Sequence, residues 1–246
     1  MRNLLVCEKD KTHSKQFTYF LCFLIEHWKH ARRNLTIQIM TVEFTSRITN
    51  LQKKPMKNLV IIGHPDTASF CHNGIFKTIV ELIENSDQEL KTIDLYRDSF
   101  TRPRHDLIEK YKELVTWSDK IYFISPVWWF RLTPRMEIFF DEVFTPGFAY
   151  EFVNVTKLYA YPKPFLKDKK LRTYVTHGAP ALPVKTLYLN SVKLRLVMGV
   201  YSFVFGWKLS LFTKTKQFWS VPFVSDKKRQ KYLNVVRKDI LRDLRN

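Results

Sequence analysis

Glycine is scarce in this chain: six residues in 246, with none before residue 56. Together with only eleven prolines, this excludes collagen-like and linker-type sequences. Cysteine is scarcer still. Cys7, Cys22 and Cys71 are too few for a disulfide scaffold at this length and suit a reducing compartment. Long apolar runs are missing. The best, Phe17–Ile25, is followed at once by Glu26 and His27, well short of the roughly 18–20 residues a membrane span needs. Glu8 and Asp10 precede it, which makes a poor signal peptide. A soluble, cytoplasmic protein is expected. Several functional signatures are also lacking: GxGxxG, GxxxxGK[ST], metal-ligand spacing, a Ser–His–Asp set, and helix-turn-helix, zinc-finger or RNA-recognition patterns.

What is present is hydrophobic and basic. The chain is 45% hydrophobic and 15% aromatic, enough for a sizeable core and incompatible with a disordered chain. Its length fits one large domain, or one domain with an appendage. Lys and Arg number 41 against 23 Asp and Glu, a formal net charge of +18. Residues 1–56 carry ten basic and four acidic side chains, residues 57–162 carry twelve and fifteen, and residues 163–246 carry nineteen and four. Such a basic end points to nucleic acid, an anionic membrane surface, a pocket for a phosphate-bearing ligand, or simply a solvated face.

Residues 1–55 show no clear period and end in a polar stretch, Asn50 to Pro55. They are expected to be a peripheral extension, or a start assigned too early, ahead of a domain over residues 56–246. From Lys57 onward five βα units are expected. The strands are Asn58–Ile62, Leu90–Leu95, Lys120–Ser125, Leu171–Thr176 and a fifth near Val204–Leu211. The helices are about Phe70–Glu84, His105–Val115, Pro134–Val143, Val184–Val197 and Ser225–Leu244. The last should turn Tyr232, Val235, Val236, Ile240 and Leu244 inward. Strands one and three are continuous apolar runs, as expected for parallel strands covered on both faces. The fold class is therefore α/β, a doubly wound five-stranded parallel sheet with helices on both faces. Ligands bind such sheets outside the C-terminal strand ends, which directs attention to three loops.

The loop after the first strand, Gly63-His-Pro-Asp-Thr-Ala-Ser-Phe70, leads into a helix N-terminus. There the backbone dipole and free N–H groups favour an anion, with His64 and Ser69 as further donors. The same residues serve equally as an ordinary helix cap. After the third strand comes Ser125-Pro-Val-Trp-Trp-Phe130. Three consecutive aromatics suit a wall for a flat ligand, or packing against a helix or a partner subunit. After the fourth comes Thr176-His-Gly178, where Gly178 permits close backbone approach. His177 is a lone histidine, more often structural than catalytic.

Taken together, Gly63-His-Pro-x-x-x-Ser-Phe70, Asp94-Leu-Tyr96, Pro126-Val-Trp-Trp-Phe130, Phe140-Asp141 and Pro146-Gly-Phe-Ala-Tyr150 resemble the flavodoxin-fold NAD(P)H:quinone oxidoreductases. The resemblance runs from about Met56 to the C-terminus. It implies a flavodoxin-like fold and a bound flavin, FAD by preference with FMN also open. It further implies NAD(P)H as co-substrate and a quinone or similar acceptor. In such enzymes the residues matching His64, Ser69 and Phe70 hold the flavin phosphate. Those matching Pro126, Val127, Trp128, Trp129 and Phe130 line the isoalloxazine, and those matching Thr176 and Gly178 meet its polar edge. Tyr150 and Phe152 match aromatics of the substrate pocket, often across a homodimer interface, and His177 is the candidate catalytic residue.

Three departures stand out. Arg131-Leu-Thr-Pro134 replaces the family's Gly-Leu-Pro, Glu137 stands where Lys is common, and His177 interrupts the usual Thr-Gly-Gly. A flavin-binding regulatory subunit docking on a membrane transporter is a second reading, with the basic C-terminal part against the membrane surface. A nucleic-acid-binding protein is a third and weaker one.

Overall fold

The computed structural model describes residues 54–156 and 158–245. The expectations for residues 1–53, with Cys7, Cys22 and Phe17–Ile25, lie outside the described residues.

The sheet is built from β1 (Lys57–Ile62), β2 (Glu89–Asp94), β3 (Lys120–Pro126), β6 (Lys170–Thr176) and β7 (Thr215–Phe218). A hairpin of β4 (Tyr150–Thr156) and β5 (Tyr159–Pro164) stands apart from it. The sheet order is β2-β1-β3-β6-β7 and every neighbouring pair is parallel. Parallel pairing forces each connection to cross a face of the sheet. The crossovers are made by α1 (Lys77–Glu84), α2 (His105–Trp117) and α3 (Pro134–Val143). Further on come the short helices α4 (Ala181–Thr186), α5 (Ser191–Leu194), α6 (Ser202–Phe205) and α7 (Ser210–Lys214), and last the long α8 (Asp226–Arg245). Two π-helical turns, Phe70–Phe76 and Arg195–Tyr201, lead into α1 and α6.

The continuous apolar runs are explained by two separate cores. Successive strand residues point to opposite faces. Leu59, Ile61, Ile121 and Phe123 therefore pack on one side with Met136, Phe139, Phe140 and Val143 of α3. Val60, Ile62, Tyr122 and Ile124 pack on the other with Ile79 and Ile83 of α1 and with Val236 and Ile240 of α8. Phe123 centres the first core, with its ring 5.4 Å from Phe140 and 6.0 Å from Tyr201. Losing a buried phenylalanine side chain at such a site costs about 3–5 kcal/mol.

The structure moves the fifth strand. Val204–Leu211 is not a strand: Val204 and Phe205 lie in α6 and Leu211 in α7, all three buried. The apolar run there has helical spacing. Leu196, Val197, Tyr201, Val204 and Phe205 share one buried stripe of the first core, and Gly206, at φ 78°, ends it. The actual edge strand β7 is four residues of mixed polarity, Thr-Lys-Gln-Phe, pairing with β6 from Thr173 to Thr176. The helix expected at Val184–Val197 is divided into shorter pieces. In α8 the buried stripe is Leu233, Val236, Asp239, Ile240 and Asp243, while Val235 faces out. Two carboxylates thus occupy positions of the inward face.

Candidate functional site

Gly63 fixes how closely α3 approaches the end of β1. A Cβ at Gly63 would sit 2.9 Å from Thr133 Oγ1 and 3.1 Å from Met136 Cε. The Thr133 hydroxyl donates to the Gly63 carbonyl at 2.9 Å. Beyond it the loop folds on itself. The Asp66 N–H donates to His64 Nδ1 at 3.0 Å, and Asp66 Oδ1 accepts from the Ala68 N–H at 2.8 Å. An acceptor Nδ1 puts the ring proton of neutral His64 on Nε2, where it can donate outward. Burial pulls the His64 pKa down, opposed by Asp66. Ser69 caps the helix, its Oγ accepting from the His72 N–H at 3.2 Å, and its own hydroxyl proton stays available. The loop is thus both a cap and a set of donors around a helix N-terminus.

The aromatic loop is a tight turn. Trp128 and Arg131 exchange two backbone hydrogen bonds, at 2.8 and 2.9 Å. Trp129 and Phe130 between them have φ of 49° and 59°. Neither is glycine, and this left-handed region costs an ordinary residue about 1–2 kcal/mol. Trp128 and His64 meet edge to face, with ring centroids 6.2 Å apart. Phe130 packs on Tyr188 at 4.6 Å, and Trp129 is 96% exposed. Glu137 accepts from the Leu132 N–H at 2.7 Å and pairs with Arg195.

The third loop is held by both neighbours. The Val127 N–H donates to the Thr176 carbonyl at 2.8 Å and the His177 N–H to the Phe218 carbonyl at 2.7 Å. Thr176 Oγ1 lies 3.1 Å from Cys71 Sγ. Burial pushes the Cys71 thiol up to about 12, so it stays protonated and is no nucleophile. His177 is 3% exposed, stacked on Trp219 at 4.2 Å, and contacts Gln217 Nε2 through its own Nε2 at 3.0 Å. Burial lowers its pKa to about 4, so the ring is neutral at pH 7. A neutral ring can align a ligand by hydrogen bonding, but it is a poor proton donor. A Cβ on Gly178 would meet nothing within 4 Å, so a ligand can come up to the backbone there.

These loops enclose one cavity of about 670 Å³. His64, Ser69, Phe70, Pro126, Val127, Trp128, Thr176, His177 and Gly178 all line it. Four other expected site residues do not. Trp129 and Phe130, at the middle of their turn, are outside the lining, and Tyr150 and Phe152 lie on β4, in ring contact with each other at 5.4 Å.

Sequence reasoning missed Asn73, Gln230 and above all Arg229 as lining residues. Arg229 stands in the opening turns of α8, tied to Asp226 Oδ1 at 2.9 Å and to the Val221 and Pro222 carbonyls at 3.3 Å. The run Lys227-Lys-Arg229 was a usable signal, because cations in a first helical turn oppose the helix dipole unless something compensates them. The second strand end supplies Asp94, which accepts from His72 Nε2 at 3.0 Å and from the Tyr96 N–H at 3.0 Å. Among the described residues no group of three His, Cys, Asp or Glu is placed to hold a metal ion, and no helix is long and apolar enough to cross a membrane.

Known proteins share this fold. A solved structure of Smu.1420 from Streptococcus mutans superposes with a TM-score of 0.61 at 27% identity, over 75% of this chain and 98% of that one. An FMN-dependent NADH-azoreductase of Bacillus anthracis in complex with FMN superposes at 0.57 and 14% identity, over 76% and 98%. At that identity it shares the fold alone. The uncharacterized NAD(P)H oxidoreductase YdeQ of Bacillus subtilis is 33% identical over 95 residues, covering 39% of this chain and 45% of that protein. The matched segment thus spans less than half of that relative. A family model for the flavodoxin-like fold matches residues 56–193, and the chain belongs to that family.

Proposed function

We propose that the chain binds a flavin in the 670 Å³ cavity and transfers hydride from NAD(P)H to a quinone or related acceptor. The observation that carries this reading is the convergence of three strand-end loops on one cavity, each with a different chemistry. Its volume falls in the usual range for cofactor sites. The donor set suits a flavin. Ser69, the first-turn N–H groups and Arg229 offer hydrogen bonds and charge to a phosphate. Pro126, Val127 and Trp128 offer an apolar wall to a flat ring system, and the open backbone at Gly178 with Thr176 offers polar contact to its edge.

FMN is the better-supported flavin than FAD. Ser69 and Arg229 both line the cavity as phosphate donors, and the superposed azoreductase is an FMN complex. When bound, the flavin supplies the hydride-accepting and hydride-donating centre. The chain's own work is positioning. Ser69 and Arg229 hold the phosphate end, Trp128 excludes water from one side, and neutral His177 presents a hydrogen-bonding ring without a charge.

Released cofactor identified by chromatography, with a menadione-dependent NADPH oxidation assay, tests the reading directly. Ser69→Ala removes one hydrogen bond to a charged group and should weaken flavin binding by about tenfold. Trp128→Ala should lower retained flavin as well. Unchanged flavin content in both variants would overturn the site.

A further inference from the structure

A second cavity, of about 370 Å³, opens at the other end of the sheet. Lys120, Lys170, Arg172, Lys214 and Lys216 line it, and among the described residues its carboxylates are Asp239 and Asp243. Lys120 and Lys170 begin β3 and β6, whereas Pro126 and Thr176, which end the same strands, line the first cavity. At about 3.3 Å per residue the two cavities are roughly 20 Å apart.

The two carboxylates are fully engaged. Asp243 accepts from Arg172 through both oxygens at 2.7 Å and pairs with Lys120 at 3.0 Å. Asp239 pairs with Arg172 at 3.2 Å and with Lys216 at 2.7 Å. Their remaining approaches face Tyr122 and Tyr174 hydroxyls, at 3.4 and 3.3 Å. Arg172 is 5% exposed. The arrangement is therefore a rigid, buried floor rather than a set of waving side chains. Lys170 and Lys214 at its rim have no carboxylate within ion-pair distance among the described residues, and they add charge that the two aspartates do not balance. Burial depresses the Lys120 ammonium to about 8, with Arg172 and Lys170 pushing the same way against Asp243. Burial likewise lowers Lys214, and Arg172 and Lys170 again add to it against Asp243. Cations here crowd one another in a partly desolvated hollow, where a multivalent anion gains most.

We propose that this basic cavity, at the N-terminal ends of β3 and β6, is a second ligand site that binds a diphosphate-bearing anion. The Arg172 floor supplies fixed positive potential, and Lys170, Lys214 and Lys216 at the mouth supply donors to the phosphate oxygens. The size exceeds what one phosphate needs and suits two linked phosphates. Inorganic pyrophosphate and a nucleoside diphosphate share that chemistry.

The test is isothermal titration calorimetry of the full chain with sodium pyrophosphate, at constant ionic strength, then with adenosine diphosphate. Because Ser69 and Arg229 also favour phosphate, a Ser69→Ala/Arg229→Gln variant is titrated in parallel. Saturable pyrophosphate binding should survive in that variant and weaken by at least about tenfold in Lys170→Gln/Lys214→Gln, whose side chains lie outside the buried ion pairs. Lys214→Glu alone should weaken it in the same direction, which guards against a folding defect in the double variant. A tighter response to adenosine diphosphate assigns a nucleotide, and equal responses assign the inorganic anion. Binding unchanged in Lys170→Gln/Lys214→Gln, binding lost only in Ser69→Ala/Arg229→Gln, or no saturable binding at all would each overturn the proposal.

Discussion

His177 shows how one side chain couples the site to stability. Unfolded, it titrates near 6.5; folded, burial against Trp219 lowers it to about 4. The native state therefore takes up the proton less readily than the unfolded chain. Stability is unaffected by this residue above pH 6.5, and it falls as the pH drops from 6.5 toward 4, by at most about 1.4 kcal/mol per pH unit. Replacing His177 by Gln keeps a polar side chain of similar reach and removes the titration. Urea midpoints measured between pH 7 and pH 4 should decline less steeply in His177→Gln than in the unaltered protein. Parallel declines would mean that other groups, such as the Asp243 carboxyl held low by Arg172 and Lys120, carry the whole acid limb.

At the scale of elements, the Trp128–Arg131 turn carries backbone strain that its exposed ring cannot offset. Trp129 buries almost nothing, so its left-handed φ is a net cost to the fold. Asparagine adopts that region more readily, and Trp129→Asn should stabilise the protein by about 1 kcal/mol in urea unfolding. No gain would mean that the indole makes a compensating contact in solution. The same turn marks the limit of what sequence could reveal. Four parallel strands and the three strand-end loops were legible because β1 and β3 are unbroken apolar runs and the loops sit where such sheets bind ligands. Nothing in Trp-Trp-Phe disclosed that the chain reverses there, because turn signals rest on Gly, Asn and Asp. β7 escaped because an edge strand covered on few sides needs little hydrophobicity, while the more apolar 196–205 run obeys a helical period. Arg229 was obscured for a further reason. A helix face reads as solvated in sequence, and only the tertiary packing of α8 beside Ser69 brings the guanidinium to the cavity.

For the molecule as a whole, part of the basic excess of residues 163–246 reaches two cavities, with Arg229 at the first and Lys170, Arg172, Lys214 and Lys216 at the hollow at the opposite end. The apolar excess has a different one. The β4/β5 hairpin is anchored at its base by the Phe165 N–H on the Ala149 carbonyl and by Tyr150 against Phe203. Its body exposes Phe152, Val153, Val155, Leu158 and Tyr161. A two-stranded hairpin is marginal in water by itself, and exposed apolar side chains on both of its faces mark it as an interaction surface. A second copy of the chain is the simplest cover, since an isologous interface needs only one self-complementary patch. Sedimentation equilibrium should therefore give a dimer mass. Phe152→Asp/Val155→Asp should sediment as a monomer with an unaltered melting profile for the sheet domain and with the proposed flavin binding unchanged, because neither residue lines the cavity. A monomer mass for the unaltered protein across the accessible concentrations would remove the hairpin from the site. Acceptor specificity would then rest on Trp128, His177 and Gly178, which line the cavity within a single chain.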